Sequence, residues 1–313
     1  MANVITRTLI KPHPRFSFGT AGENDLKVDL VMWTLNGEKT LPLVLSRINQ
    51  IIPKEDVNQK LVIDDGSKDE TINIAEKNGW KVIKNEGKGI SDGANTALKH
   101  VQTSYFCSFE QDVLLSSEWW TKVSALILNV QGVGAACGLR FLPRNNFCYS
   151  IEPYELTRTN TDYYGGFGKT LDNTIWNTQA LRSIGGFPKV NFAGIDTFVF
   201  HLLKSKGYKW LADYNVKSLH LHYGGILSEV KRYYFYGSSL PEIYSRIKKF
   251  SNIYEKENLA TLFIRLLKSP VSSLRMSLKM HDARLMVCYP IVRLYWLLGY
   301  IHGKSWQNVS LQD

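Results

Sequence analysis

Short apolar runs alternate along this chain with longer stretches of helical spacing. VDLVMWT (28–34) has the apolar character of a strand covered on both faces. In GEKTLPLVLSRINQI and just beyond, Leu41, Leu45, Ile48 and Ile52 share one helical face. KLVIDD (60–65) reads as a second buried strand, and Ser67 as the cap of a helix running through Ile72, Ile74 and Ala75. WKVIKN (80–85) is a third strand, followed by a helix from Ile90 to Val101. YFCSFEQD (105–112) is a fourth, SSEWWTKVSALILNV the next helix, and GVGAACGLRFL (132–142) a fifth strand. This alternation predicts right-handed βαβ units and a mostly parallel sheet flanked by helices. Such sheets bind ligands at the carboxyl ends of their strands. Residues 1–26, with Pro12, Pro14, Gly19 and Gly22, predict a loosely structured lead-in.

Composition narrows the picture. The chain has 313 residues, 44% apolar and 21% charged, an ordinary globular balance with length for a sizeable core. A net charge of +10 points to a polyanionic partner: a nucleotide, a nucleic acid or an anionic membrane. Cys107, Cys137, Cys148 and Cys288 have no zinc-type spacing and read as reduced, buried thiols of a cytosolic protein. The first residues lack the apolar core of a signal peptide, and no run of about 18 uninterrupted apolar residues occurs, so no conventional membrane span is expected. Residues 246–304 hold eleven Lys/Arg against three Asp/Glu. These interleave with apolar residues, as in LATLFIRLLKSPVSSLRMSLKM, and Pro270 and Pro290 break the runs. The pattern predicts helices lying on an anionic membrane surface, against the plainer alternative of packing on the main domain.

The polar residues that carry chemistry follow the strands. IDDGSKDET (63–71) ends a strand in Asp64 and Asp65, where carboxylates can accept N–H and O–H protons of a base and ribose or build the turn. NEGKGISDGAN (85–95), which is not a P-loop, could bring backbone N–H groups and Lys88 towards a diphosphate or be a flexible connection between helix and strand. Glu110 and Asp112, at i and i+2 of a strand, would point the same way about 7 Å apart, or else belong to an acidic loop before a helix capped by Ser116 or Ser117. A cation, or a cation and a ribose, held between them would remove the like-charge penalty. Asp196 begins an amphipathic helix, as a general base or as an acid favoured by the helix dipole. His220 and His222 alternate on what reads as a short strand, and either could complete a carboxylate metal site.

Taken together, VDLVMWTLNGEKTLPLVL, LVIDDGSKDET, NEGKGISDGAN, FEQDV, GGF…GID and HLHYGG…KRYYFYG resemble a family 2 inverting glycosyltransferase of the GT-A type over roughly residues 27–238. The resemblance implies a Rossmann-like GT-A catalytic domain over 27–240 and a basic, amphipathic helical tail over 241–313. It implies a nucleotide-sugar donor, a divalent metal (Mn2+ or Mg2+) and inversion at the sugar carbon. Thr34, Asn36, Glu38, Asp64, Asp65, Lys88 and Glu110 would then bind the nucleotide. Glu110, Asp112 and His220 or His222 would hold the metal, and Asp196 would be the base. EQD stands where the family usually has DxD, Ile195-Asp196 where it has an acidic pair, and Lys88 where an arginine is common. Loops around 140–180 would set specificity, with Trp176 and Tyr164 as candidates to stack on the acceptor or simply to pack. The acceptor would be a hydroxyl, lipid-linked or on a membrane glycan, and the enzyme would sit at the inner face of the cytoplasmic membrane. A nucleotidyltransferase is disfavoured because WTLNGEKT replaces its Gly-rich basic signature. A nucleic-acid partner is disfavoured because the charge lies in an apolar tail rather than a basic and aromatic groove. A catalytically altered binding protein is the remaining alternative.

Overall fold

The computed structural model describes residues 26–156, 168–190, 193–221, 225–247 and 258–309. The first half is the predicted alternation: β1 (Val28–Thr34), α1 (Leu41–Ile51), β2 (Val57–Asp64), α2 (Thr71–Lys77), β3 (Lys81–Lys84), α3 (Gly89–His100) and β4 (Tyr105–Glu110). Then come β5 (Val113–Leu114), α4 (Trp119–Asn129), β6 (Val133–Phe141), α5 (Ile151–Leu156), β7 (Thr174–Asn177), α6 (Thr178–Ser183), α7 (Ile195–Ser205) and β8 (Lys209–His220). Helices α8 (Ile226–Ile247), α9 (Leu259–Leu267), α10 (Ser269–Met280) and α11 (Leu285–Val309) follow. The strands form one eight-stranded sheet in the order β3-β2-β1-β4-β7-β6-β8-β5.

Alternate residues of β1 feed two cores. Val28, Leu30 and Met32 pack with α1 and α4 on one face, and Val31 and Trp33 with α3 and α6 on the other. This double burial explains why the strand reads as apolar throughout. The parallel expectation holds for β1 with β2 and β4, for β2 with β3, and for β6 with β8. It fails at the other three pairings: β7 is antiparallel to both β4 and β6, and β5 is antiparallel to β8. A parallel neighbour needs a crossover that returns the chain to the starting edge. The segment between β6 and β7 instead lets the chain re-enter from the carboxyl edge.

Two further expectations change. β4 stops at Glu110, and Gln111 and Asp112 form a turn before β5. The two acids are therefore not successive same-face residues of one strand. Ser67 does not cap α2, which begins at Thr71 with Glu70 before it. Helix α8 runs unbroken through residues 240 and 241.

The tail packs on the catalytic half by one face. Met276, Leu285, Cys288, Tyr289 and Val292 bury against Cys148, Ile151 and Tyr233. Arg284 pairs with Asp282 and donates to the carbonyls of Arg144 and Asn146 (2.9 and 3.1 Å). Helices α8 and α11 cross with their backbones in contact: a Cβ on Gly299 would collide with the Tyr234 carbonyl, and one on Gly237 with that of Trp296. Over Leu285–Lys304 the mean hydropathy reaches 1.2, so α11 is long and apolar enough to cross a membrane by length and composition. The sequence expectation of no such span is corrected to that extent. However, 39% of that stretch is buried within the protein, and Arg293 on it reaches Glu155 (3.4 Å).

Candidate active site

The carboxyl ends of β1, β2 and β4 gather the candidate residues. At the end of β2, the Asp64 carboxylate accepts from the Gly66 and Ser67 amides (both 2.9 Å) and from the Thr34 (3.1 Å) and Ser67 hydroxyls. It is 4% exposed, so it shapes the turn instead of facing a ligand. Thr34, also buried, is spent on the same bond. Asp65, half-buried, accepts from the Asn85 amide (2.9 Å) and the Gly89 backbone (3.0 Å), which ties the glycine loop to the turn. Asn36 takes a left-handed conformation (φ 49°) and accepts from the Lys68 amide (2.9 Å). Glu38 and Lys88 lie exposed on either side of this loop cluster.

Gln111 is a residue the sequence reading passed over. Its side-chain amide forms a two-way bridge with the backbone of Leu35, accepting from its N–H and donating to its C=O (both 2.9 Å). The loop after β1 is thereby locked to the turn after β4. Gly37 is needed there, because a Cβ would run into the Gln111 side chain. The only sequence signal was an amide between two acids.

The EQD turn and β8 meet through the short β5 ladder, which sets Val113 opposite His220. His220 Nε2 stands 3.2 Å from Asp112 Oδ2. Glu110, Asp112 and His220 can each offer one ligand atom, all within 4.8 Å of one another. Two carboxylates and one imidazole suit a hard or borderline divalent cation such as Mn2+ or Mg2+. His222 and Tyr164 lie outside the described residues.

Charge in this site is tightly balanced. Burial pushes the Glu110 carboxyl up to about 8, with Asp172 and Asp112 adding to the rise and Arg140 opposing it. Burial works the same way on Asp112, but the hydrogen bond and charge of His220, with Arg140, hold it below the ordinary value. Asp196, at the start of α7, accepts from the Thr197 amide (2.8 Å). Burial raises its carboxyl to about 6, partly offset by that bond and by Arg140. Arg140 thus links the cation triad and the candidate base electrostatically.

Trp176 is corrected. It sits in β7 with no exposed surface, stacks on Phe106, meets Trp210 edge-on and donates Nε1–H to Ser108 Oγ (2.7 Å). Its indole is spent on the core between sheet and helices and cannot touch an acceptor.

Comparison with known proteins places these features. The family described as Glycosyl transferase family 2 matches residues 29–184. An O-antigen chain rhamnosyltransferase of Salmonella typhimurium is 24% identical over 202 residues, 59% of this chain and 63% of that protein's length. A mannosyltransferase of Pyrobaculum calidifontis, solved in complex with GDP-Man and Mn2+, superposes with a TM-score of 0.61 at 15% identity, over 92% of this chain and 88% of that one. Glucosyl-3-phosphoglycerate synthase of Mycobacterium tuberculosis, solved with Mn2+ and UDP, gives 0.49 at 16% identity, over 66% and 75%. The likeness to the mannosyltransferase identifies the GT-A fold.

Proposed function

Because the chain belongs to glycosyltransferase family 2, we propose that it transfers a sugar from a nucleotide sugar to an acceptor hydroxyl, with inversion at the sugar carbon. The observation that carries this reading is the convergence of Glu110, Asp112 and His220 beside the Asp64–Asp65 turn at the carboxyl edge of the sheet. Asn36, Glu38, Asp65 and Lys88 would line the nucleotide, while Thr34 and Asp64 hold the loop that presents them. Glu110, Asp112 and His220 would hold Mn2+ or Mg2+. When bound, that cation offsets the negative charge gathered by the departing diphosphate. Asp196 takes the proton of the attacking hydroxyl, a role suited to a carboxyl whose pKa is raised towards neutrality.

A membrane-associated acceptor, such as a lipid-linked one, fits the tail. Phe263, Leu267, Val271, Leu274 and Leu278 recur every third or fourth residue through α9 and α10, and 46–69% of each is exposed. Lys268, Arg275 and Lys279 are exposed among them. An outward apolar stripe with a cationic rim matches the interface of an anionic leaflet, as at the inner face of a cytoplasmic membrane.

The test is release of nucleoside diphosphate from a panel of nucleotide sugars by the purified chain, with Mn2+ and with EDTA. Release with Mn2+, abolished by EDTA and by Asp112→Asn, is expected. Turnover that ignores both treatments would remove the metal-dependent reading.

A further inference from the structure

A guanidinium stands among the carboxylates of this site. Arg140 lies near the end of β6, separated from β4 in the sheet by β7 alone. The β4–β7 ladder ends with Ser108 opposite Thr174, and the β6–β7 ladder with Cys137 opposite Thr174. Past those pairs, Glu110 and Asp172 come level at the carboxyl edge, and Arg140 reaches both. Its Nη1 is 3.3 Å from Glu110 Oε2 and its Nε 3.7 Å from Asp172 Oδ1. The Asp172 side chain is 1% exposed, and its Oδ2 has no hydrogen-bond partner among the described residues. Its place is fixed by Asn173, which adopts φ 58°, donates its amide to the Leu139 carbonyl (3.3 Å) and accepts Trp119 Nε1–H on its own (3.1 Å). The fold therefore invests a sealed carboxylate in holding one arginine.

We propose that Arg140, anchored by Asp172, is a positioning residue that fixes the carboxylate of Glu110 for its cation or ribose contact. The inference rests on the metal-dependent reading above. Glutamate carries one more rotatable bond than the aspartate of a DxD motif, so the longer arm has more freedom to lose. A charge-assisted bond to Oε2 removes that freedom and leaves the other oxygen for the ligand. The same guanidinium offsets the crowding of Glu110, Asp112 and Asp172. Asp172 holds the arginine at Nε, while Nη1 faces Glu110.

The test compares Arg140→Met, Arg140→Lys, Asp172→Asn and the double variant Arg140→Met/Asp172→Asn with the unsubstituted chain. Mn2+ binding is read by electron paramagnetic resonance in the presence of GDP, UDP or dTDP, alongside thermal melting. Losing a nearby positive charge would by itself tighten cation binding. The positioning role predicts the opposite: Mn2+ binding weakened about 10- to 100-fold in Arg140→Met. Lysine should recover part of it, having a charge but no fork. The double variant removes both charges of the pair and should regain melting temperature without regaining Mn2+ affinity. Unchanged or tighter Mn2+ binding in a folded Arg140→Met, or full recovery of affinity in the double variant, would overturn the proposal and leave Arg140 as a counter-ion of Asp172. Asp112→Asn is the control: if it does not weaken Mn2+ binding, the site reading itself falls, and this inference with it.

Discussion

Asp196 shows how one residue's surroundings set both its chemistry and its cost. Its carboxyl is raised to about 6 in the folded chain, mainly by burial, above the ordinary 3.8 of an exposed aspartate. As a base it must be ionised, so kcat/KM should fall on the acid side with a midpoint near pH 6. Asp196→Asn should lower kcat about 100- to 10,000-fold. The stability effect has a definite sign. A folded pKa above the unfolded one favours the fold fully below the unfolded value, and that contribution is lost as pH rises through the folded value. The Asn variant has no such loss, so it should melt above the unsubstituted chain at pH 7.5, with the gap closing towards pH 4. A variant that melts lower at neutral pH would show that burial is not what raises the carboxyl. Asp196 and the EQD acids were legible in sequence because acids at strand or helix ends are conspicuous. Gln111 was not, since an amide announces no partner, and the exposure of Trp176 could not be judged without its neighbours.

At the scale of elements, β1 to β4 followed from the pattern because apolar runs separated by helical spacing permit little besides βαβ units. The reversal of β7 did not follow. TIWN carries no direction, and β-strand pairing is decided by where the preceding segment leaves the chain. The turn after Glu110 was hidden as well, because Val113 and Leu114 prolong the apolar pattern while pairing with a different strand. Helices α8 and α11 depend on small residues at their crossing. Gly299→Val should force the backbones apart and cost about 1–3 kcal/mol, read as a lower denaturation midpoint. The same change should leave the Asp64 turn and nucleotide-dependent protection intact. An unaltered midpoint would mean that the helices separate freely.

For the whole molecule, the sheet edge and the tail give two different surfaces. One collects charge around a candidate cation site, and the other leaves an apolar stripe with a basic rim uncovered. If that stripe meets lipid, the purified chain should sediment with phosphatidylserine-containing vesicles, less so in high salt, and not with neutral ones. Replacing Phe263 and Leu278 together by glutamate should abolish sedimentation while leaving turnover on soluble nucleotide sugar unchanged. Equal binding to neutral vesicles, or none to anionic ones, would count against the lipid face. Both outcomes are compatible with the inward face of the same helices, which is held by Arg284 and the Met276–Cys288 cluster regardless.

Sequence alone determined the alternating architecture, the position of the acids at strand ends and the amphipathic, basic character of the tail. Each of these is a local pattern, readable from the spacing of residues along one chain. Tertiary structure decided which residues meet. His220 reaches Asp112 through a two-residue strand pairing, Arg140 bridges Glu110 and Asp172 because β7 runs backwards between β4 and β6, and Trp176 disappears into the core because β7 is an interior strand. These contacts join residues separated by tens to more than a hundred positions, and their geometry depends on strand order and direction, which local spacing does not encode.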